Sequence, residues 1–419
     1  DGLGYAGAAN FGTNIIAIAD AGDYSTSIAY GINVDASAGV AYLYNSGLIG
    51  AGAYAGYYGT AVAAASIVTG PYGATTLNYG DIIAVAQVGD YGNATAIGSI
   101  TSAVQGQAYL YNAATTIEAV AYSGKYGSST ALASQVYGLY GADTVSPGEI
   151  YALAVSGDYG SSFALGNSTT APLGTASLES GYAITAIAQT GKYGVGTTAT
   201  ALGAIVDGEY GASTVSTGDI TAIAISGKYG TAYAMGSSTN SDQGTAYLYN
   251  SGTIYAGAQA YGYVYTAGVA IAIASQVSGY YGATTDSPGD IYATAITGKY
   301  GYALAIGNTT TSPMGDALLY SDGNIYAYAA AVGLSYDSIA IAQGALVQSD
   351  NYDAGAYSTG AIVAQASAGH YSTAIATGIQ VLAYNGDATL ESNNIGAYAD
   401  AGYFSTAVAT AAEVHALYT

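Results

Sequence analysis

Ile220-Thr221-Ala222-Ile223-Ala224-Ile225-Ser226-Gly227-Lys228-Tyr229-Gly230-Thr231-Ala232-Tyr233-Ala234-Met235-Gly236 holds two alternating runs on either side of a glycine-bounded turn. From Ile220 to Ile225 successive side chains fall on opposite faces, which is the period of a β-strand. The run recurs along the whole chain. An isoleucine followed at +2 and +4 by alanine occurs at Ile15, Ile49, Ile82, Ile117, Ile150, Ile184, Ile220, Ile254, Ile291, Ile325, Ile362 and Ile395, spaced 33 to 37 residues apart. All 24 downstream positions are Ala. Self-similarity of this kind marks an array whose units bury their apolar faces by stacking. Residues 1–419 therefore read as a single repeat domain, although a globular chain of this length usually divides.

A second strand follows the turn, as in Ala232 to Gly236, and a third recurs in alternate units as G-x-A-x-L-x-[N/S], from Gly39 to Asn45 and from Gly244 to Asn250. The units between carry a different third segment, such as Tyr140 to Thr144 and Tyr210 to Thr214, so the full period is a pair of units, about 70 residues. Strict alanine on one strand face means that another layer approaches it closely and leaves room for little more than a methyl. The fold class expected is all-β, a parallel β-solenoid of about twelve coils of 33–37 residues that alternate in pairs.

Nine residues after the anchor stands Tyr24, Tyr58, Tyr91, Tyr126, Tyr159, Tyr193, Tyr229, Tyr263, Tyr300, Tyr371 or Phe404, and one unit has Leu334 there with Tyr336 two residues on. In stacked coils these rings form a structural ladder with a spacing of about 4.8 Å. Before the Tyr, consecutive units carry Asp90, Lys125, Asp158 and Lys192, so opposite charges alternate up the stack; Lys192 beside Lys228 breaks that pattern. Before the Ile, acids occupy alternate units at Asp81, Glu149, Asp219 and Asp290, which doubles the distance between like charges.

Asn45-Ser46-Gly47, Asn250-Ser251-Gly252-Thr253-Ile254 and Ser321-Asp322-Gly323-Asn324-Ile325 resemble the N-S-G-x-I turns of repetitive bacterial surface β-solenoids, the filamentous-haemagglutinin-like proteins and autotransporter passengers. The resemblance covers nearly the whole chain. It implies a parallel β-helix on the cell exterior, in adhesion or surface structure. The chain departs from that pattern in showing no recognisable secretion domain or translocator barrel, and without Arg it has no Arg-Gly-Asp motif.

The formal net charge is −22, with four Lys and no Arg, which argues against nucleic-acid binding and against attraction to anionic lipid. No stretch approaches 18 uninterrupted apolar residues, so no membrane-inserted helix is expected. The start at Asp1 without Met fits removal of an export signal. With two His and no Cys, no metal cluster or nucleophile triad assembles, and the Asp and Glu residues are scattered through turns without convergent pairs. Neither an enzyme nor a cofactor is expected. The one metal considered is calcium held between turn Asp residues, although the Gly- and Asp-dense nonapeptide of calcium β-rolls is missing. His370 and His415 read as exposed. Asn93, Asn167 and Asn308 fit the glycosylation acceptor pattern, against a plainer reading as polar loop residues.

The function expected is a secreted structural protein that assembles with itself, head to tail, into an extracellular filament. Asp1 to Thr13 reads as the tail of a unit and Ile395 to Thr419 as the beginning of one, so Tyr5 of one copy is expected to meet Leu417 of the next. The alternatives are a monomeric β-solenoid adhesin or glycan-binding surface protein, and a functional amyloid of a biofilm matrix. The last usually depends on Asn/Gln ladders, which are thin in this sequence. An outer-membrane barrel and an antiparallel meander turning at Gly-Lys-Tyr-Gly complete the set.

Overall fold

The computed structural model describes residues 4–113, 116–261, 268–332 and 337–417. Parallel strands stack in about twelve coils, a β-solenoid. One coil contains a first strand Ile220–Ser226, a second Thr231–Ser241 and a third Thr245–Asn250. Each strand pairs in register with its equivalent one unit away: Ile184 with Ile220 and Ile254, Ala199 with Ala232 and Ala270, Ala212 with Ala246 and Ala283. First and third strands join in one 22-stranded sheet, while the second strands form a separate 12-stranded sheet. The chain therefore changes sheets at Gly227-Lys228-Tyr229-Gly230. No antiparallel hairpin forms there, and parallel stacking also differs from the antiparallel wall of an outer-membrane barrel.

The alternation sets what lies inside. Ile220, Ala222 and Ala224 of the first strand are buried, as are Ala232 and Ala234 of the second. The alanines thus sit between two close layers, as their uniformity predicts. The second strand does not stop at Gly236, where the sequence reading ended it, but continues to Ser241. Gly236 and Ser237 both face inward, and two consecutive inward residues turn the strand round a corner. Beyond it, Thr239 and Ser241 face Ala246, Leu248 and Asn250 of the third strand.

This corner explains the anchor isoleucine. A β-carbon on Gly236 would lie 2.6 Å from Cγ2 of Ile254, the anchor of the next coil. The same relation joins Gly98 to Ile117, Gly203 to Ile220 and Gly344 to Ile362. The isoleucine methyl fills the notch that the corner glycine leaves, so each coil is keyed into its neighbour. Elsewhere the corner holds Ala65, Ala133 or Ala274, and nothing larger fits.

Pairing of the units is a matter of core volume. Leu110, Leu178, Leu248 and Leu319 fill the third strand of alternate coils, and the intervening coils place Thr76, Thr144, Thr214 and Thr285 at that position. Each of these threonines hydrogen-bonds the second-strand threonine of the following coil, Thr101, Thr169, Thr239 or Thr310, at 2.7–2.8 Å. A Leu coil carries Thr on its second strand and a Thr coil carries Val, as in Thr239 with Leu248 and Val277 with Thr285. The swap keeps the core volume nearly constant and leaves no hydroxyl of the pair alone.

The corner column is less complete. Ser66, Ser99, Ser134, Ser237 and Ser275 lie buried there with no hydrogen-bond partner on the hydroxyl, while Ala204 and Ala345 occupy the same column without difficulty. Removing an unpaired buried hydroxyl relieves a desolvation cost. Ser237→Ala is therefore expected to stabilise the fold by about 1 kcal/mol, whereas Ala222→Leu on the crowded face is expected to cost about 1–3 kcal/mol. Denaturant midpoints of the two variants check both signs.

Candidate functional site

The first turn carries the most regular surface feature of the molecule. Tyr24, Tyr58, Tyr91, Tyr126, Tyr159, Tyr229, Tyr300, Tyr371 and Phe404 adopt positive φ, between 51° and 64°. That left-handed conformation costs a non-glycine residue about 1 kcal/mol, and ring stacking works against that cost where neighbouring units both carry a ring. Ring centroids lie 5.1 Å apart from Tyr24 to Tyr58, 4.7 Å from Tyr58 to Tyr91, 4.8 Å from Tyr91 to Tyr126 and 4.7 Å from Tyr126 to Tyr159, with interplanar angles of 13° or less. Tyr371 and Phe404 stack at 5.2 Å.

The ladder is interrupted where the turn is longer. Counted back from the second strand, the left-handed slot falls two residues before Thr198 on Gly196 (φ 71°) and two before Ile339 on Asp337 (φ 51°). Counting forward from the anchor therefore misplaces Tyr193, which projects from an insertion and is largely exposed. Tyr263, Leu334 and Tyr336 lie outside the described residues. The insertion also accounts for the two lysines. Lys228 Nζ sits 5.5 Å from the centre of the Tyr193 ring and Lys192 Nζ 5.1 Å from that of Tyr261, so each ammonium meets an aromatic face.

Turn acids do not work as an alternating charge ladder. The Asp90 carboxylate accepts the backbone N–H of Lys125 at 2.7 Å, Asp23 accepts that of Tyr57 at 2.7 Å, and Asp158 that of Tyr193 at 3.1 Å. His370 Nδ1 does the same for Tyr403 at 2.9 Å. At the turn before the anchor, Asp219 accepts from Thr253 and Asp290 from Asn324, both at 2.7 Å. Turn N–H groups lie outside the strand ladders, and a carboxylate from the neighbouring coil satisfies them with a charge-assisted bond. Tyr57 Oη also donates to Asp90 Oδ2 at 3.2 Å, and that bond is the main cause raising its phenol above the usual range.

A second ladder runs inside. Asn10 Nδ2 donates to Asn45 Oδ1 at 2.8 Å, Asn45 to Asn78 at 2.7 Å, Asn78 to Asn112 at 2.8 Å and Asn112 to Ser146 at 3.1 Å, all buried. An Asn ladder is therefore present where the sequence reading found little. Its signal is Asn ending the third strand in consecutive units. Phe11, Tyr44, Tyr79 and Tyr111 line the adjoining surface at 5.3–5.6 Å.

Of the acceptor-pattern asparagines, Asn93 is exposed and accepts from Ser128 Oγ. Asn167 and Asn308 are fully buried in the corner column, donating to Thr169 and Thr310 at 2.9 Å. A glycan on either would have to leave the core with its side chain, so both lose that reading. Tyr5, on the first described strand, and Leu417, just past the last one, are exposed, and the Leu417 N–H donates to the Ala383 carbonyl at 2.8 Å. Among the described residues no group of three His, Asp or Glu side chains is placed to hold a metal ion, and no helix is long and apolar enough to cross a membrane. An open groove of about 320 Å³ is lined by the stacked rings of Tyr320 and Tyr357 with Asp322, Thr359, Glu391 and Asn393.

Comparison with protein-family models, with curated proteins and with solved structures gave no match.

Tyr126, stacked on both sides, tests the balance between strain and stacking. Tyr126→Phe is expected to be near neutral. Tyr126→Ala keeps the strain without the rings and is expected to cost about 1–3 kcal/mol. Tyr126→Gly, which accepts positive φ freely, is expected to cost about 1 kcal/mol less than Ala. Urea melts rank the three.

Proposed function

We propose that this chain is an extracellular structural protein whose copies stack end to end, coil face on coil face, into a filament or surface fibre. One observation carries the reading: the same parallel, in-register pairing binds each described coil to the next. Isoleucine fills the corner of the coil beneath, alanine stacks on alanine, and a turn carboxylate takes the N–H above. An exposed coil is therefore complementary to a coil that continues the alternation of large and small core residues, and a second copy can satisfy it by the same kind of bonds. At one limit of the described residues, Gly4–Asn10 and Ile15–Ala21 pair on one side alone; at the other, Thr406–Ala416 does. Tyr5 and Leu417 belong to those two faces. The third-strand column ends on Ala8 at one limit and on Leu390 at the other, so a joint between the two continues the alternation of large and small.

The bacterial surface type is supported by the Asn-Ser-Gly turn phrases together with the solenoid itself. The net charge of −22 disfavours a nucleic-acid binder. A monomeric glycan-binding adhesin has one observation in its favour, the groove with the Tyr320 and Tyr357 rings.

Negative-stain electron microscopy and sedimentation of the purified protein separate the readings. Filaments are expected from the unaltered chain, and none from Leu417→Asp or from a chain lacking residues 412–419, with the solenoid still folded in both. Long filaments in those variants would place the joint elsewhere. A chain that stays monomeric at high concentration would favour the adhesin.

A further inference from the structure

We propose that the outward face of the first-strand sheet is a lateral interface on which a second copy of this chain packs, sheet against sheet. This goes beyond end-to-end stacking, because it uses the flank of the coils and not their faces.

Between the inward Ile and Ala positions, the first strands point Val85, Leu153, Val155, Ile187, Ile223 and Ile225 outward, all partly exposed. Over the eight first strands from Ile82–Val88 to Ile325–Ala331, Glu118 is the sole charged outward residue. The remaining outward positions are aliphatic, aromatic, Thr, Gln, Gly or Ala. An acidic chain normally repels its own copy. Here the other acids lie elsewhere, in turns and on the third strand at Asp143, Glu179 and Asp286, so Glu118 is the one like charge that two copies oppose on this face. The same lack of charge gives a basic partner nothing to bind.

Size favours the pairing as well. Eight strands at about 4.8 Å, each seven residues at about 3.3 Å, present roughly 900 Å², and a stable interface needs about 800 Å² per partner. Two copies share one axial repeat, so rows of side chains mesh along the whole length, as they do when sheets pack about 10 Å apart. A socket is already present. At Gly257 a depression of about 90 Å³ opens between Ile223, Ile225, Tyr255, Thr294 and Ile296, where the other copy's aliphatic side chains can seat. Glu118 opposes the contact: burial first, then Glu149 and Asp81, raise its carboxyl above the usual range.

Sedimentation equilibrium of the full chain in the Leu417→Asp background tests this without end-to-end growth. A dimer is expected. Ile223→Glu with Ile225→Glu is expected to raise its Kd at least tenfold, and Glu118→Gln to lower it. Should the first pair unfold, Gln259→Glu with Thr294→Glu places charge at positions already polar and is expected to act the same way. A monomer throughout, or a dimer indifferent to all these changes, overturns the proposal even if unaltered filaments form. Binding of the monomer to phosphatidylcholine vesicles through this face would assign it to lipid and overturn it too. Absence of filaments from the unaltered chain, with the dimer retained, would instead count against the end-to-end reading alone.

Discussion

The in-register backbone ladder between coils governs everything else in this molecule. Once Ile184, Ile220 and Ile254 are hydrogen-bonded neighbours, each residue has its equivalents directly above and below it. Columns, not coils, then become the unit of selection. Neighbouring volumes must fit one spacing, two equal charges must not touch, and a polar group must find its partner in the column or next to it. Tyrosine rings stack at their own van der Waals spacing because the ladder spacing nearly equals it. The alternation of Leu248 with Thr285 is the same constraint at work in the core, where a fixed spacing cannot expand to admit two large neighbours.

Much of this was legible from alternation and period. The twelve anchors, the crowded alanine face, the parallel stacking and the third strand all follow from side-chain spacing, because a strand writes its two faces into every second residue. The corner at Gly236 and Ser237 was not legible. Glycine after an alternating run reads as an end, and two adjacent inward residues look like a break in the pattern instead of a bend that continues it. The buried sequons failed for the same reason: Asn167 and Asn308 were placed on a loop, whereas they occupy the corner column.

The candidate surface was read in part. Tyrosine stacking was foreseen from position, yet the slot is defined by backbone conformation, which follows the second strand and not the anchor. Gly196 and Asp337 hold it where the turn is longer, and Tyr193 is carried outward. Carboxylates were assigned to lysines by sign. Geometry gives Asp90 the Lys125 backbone N–H, which the strand ladders leave to the turn. A sequence shows charges; it does not show which amides a fold leaves bare.

Those carboxylates share a direction. Asp23, Asp90, Asp158, Asp219, Asp290 and Asp353 all accept from the coil that follows, to Tyr57, Lys125, Tyr193, Thr253, Asn324 and Asp387, and none of these bonds points backward. In these turns the acceptors face one way along the stack and the donors the other. Stacked along an axis, such coils form a vector. Turning one stack over against another would set turn carboxylates against each other and turn amides against each other, so these contacts disfavour a twofold joint across the axis. A polymer built from this surface has a beginning and an end at every scale, and its two tips are chemically different places for the next subunit to arrive.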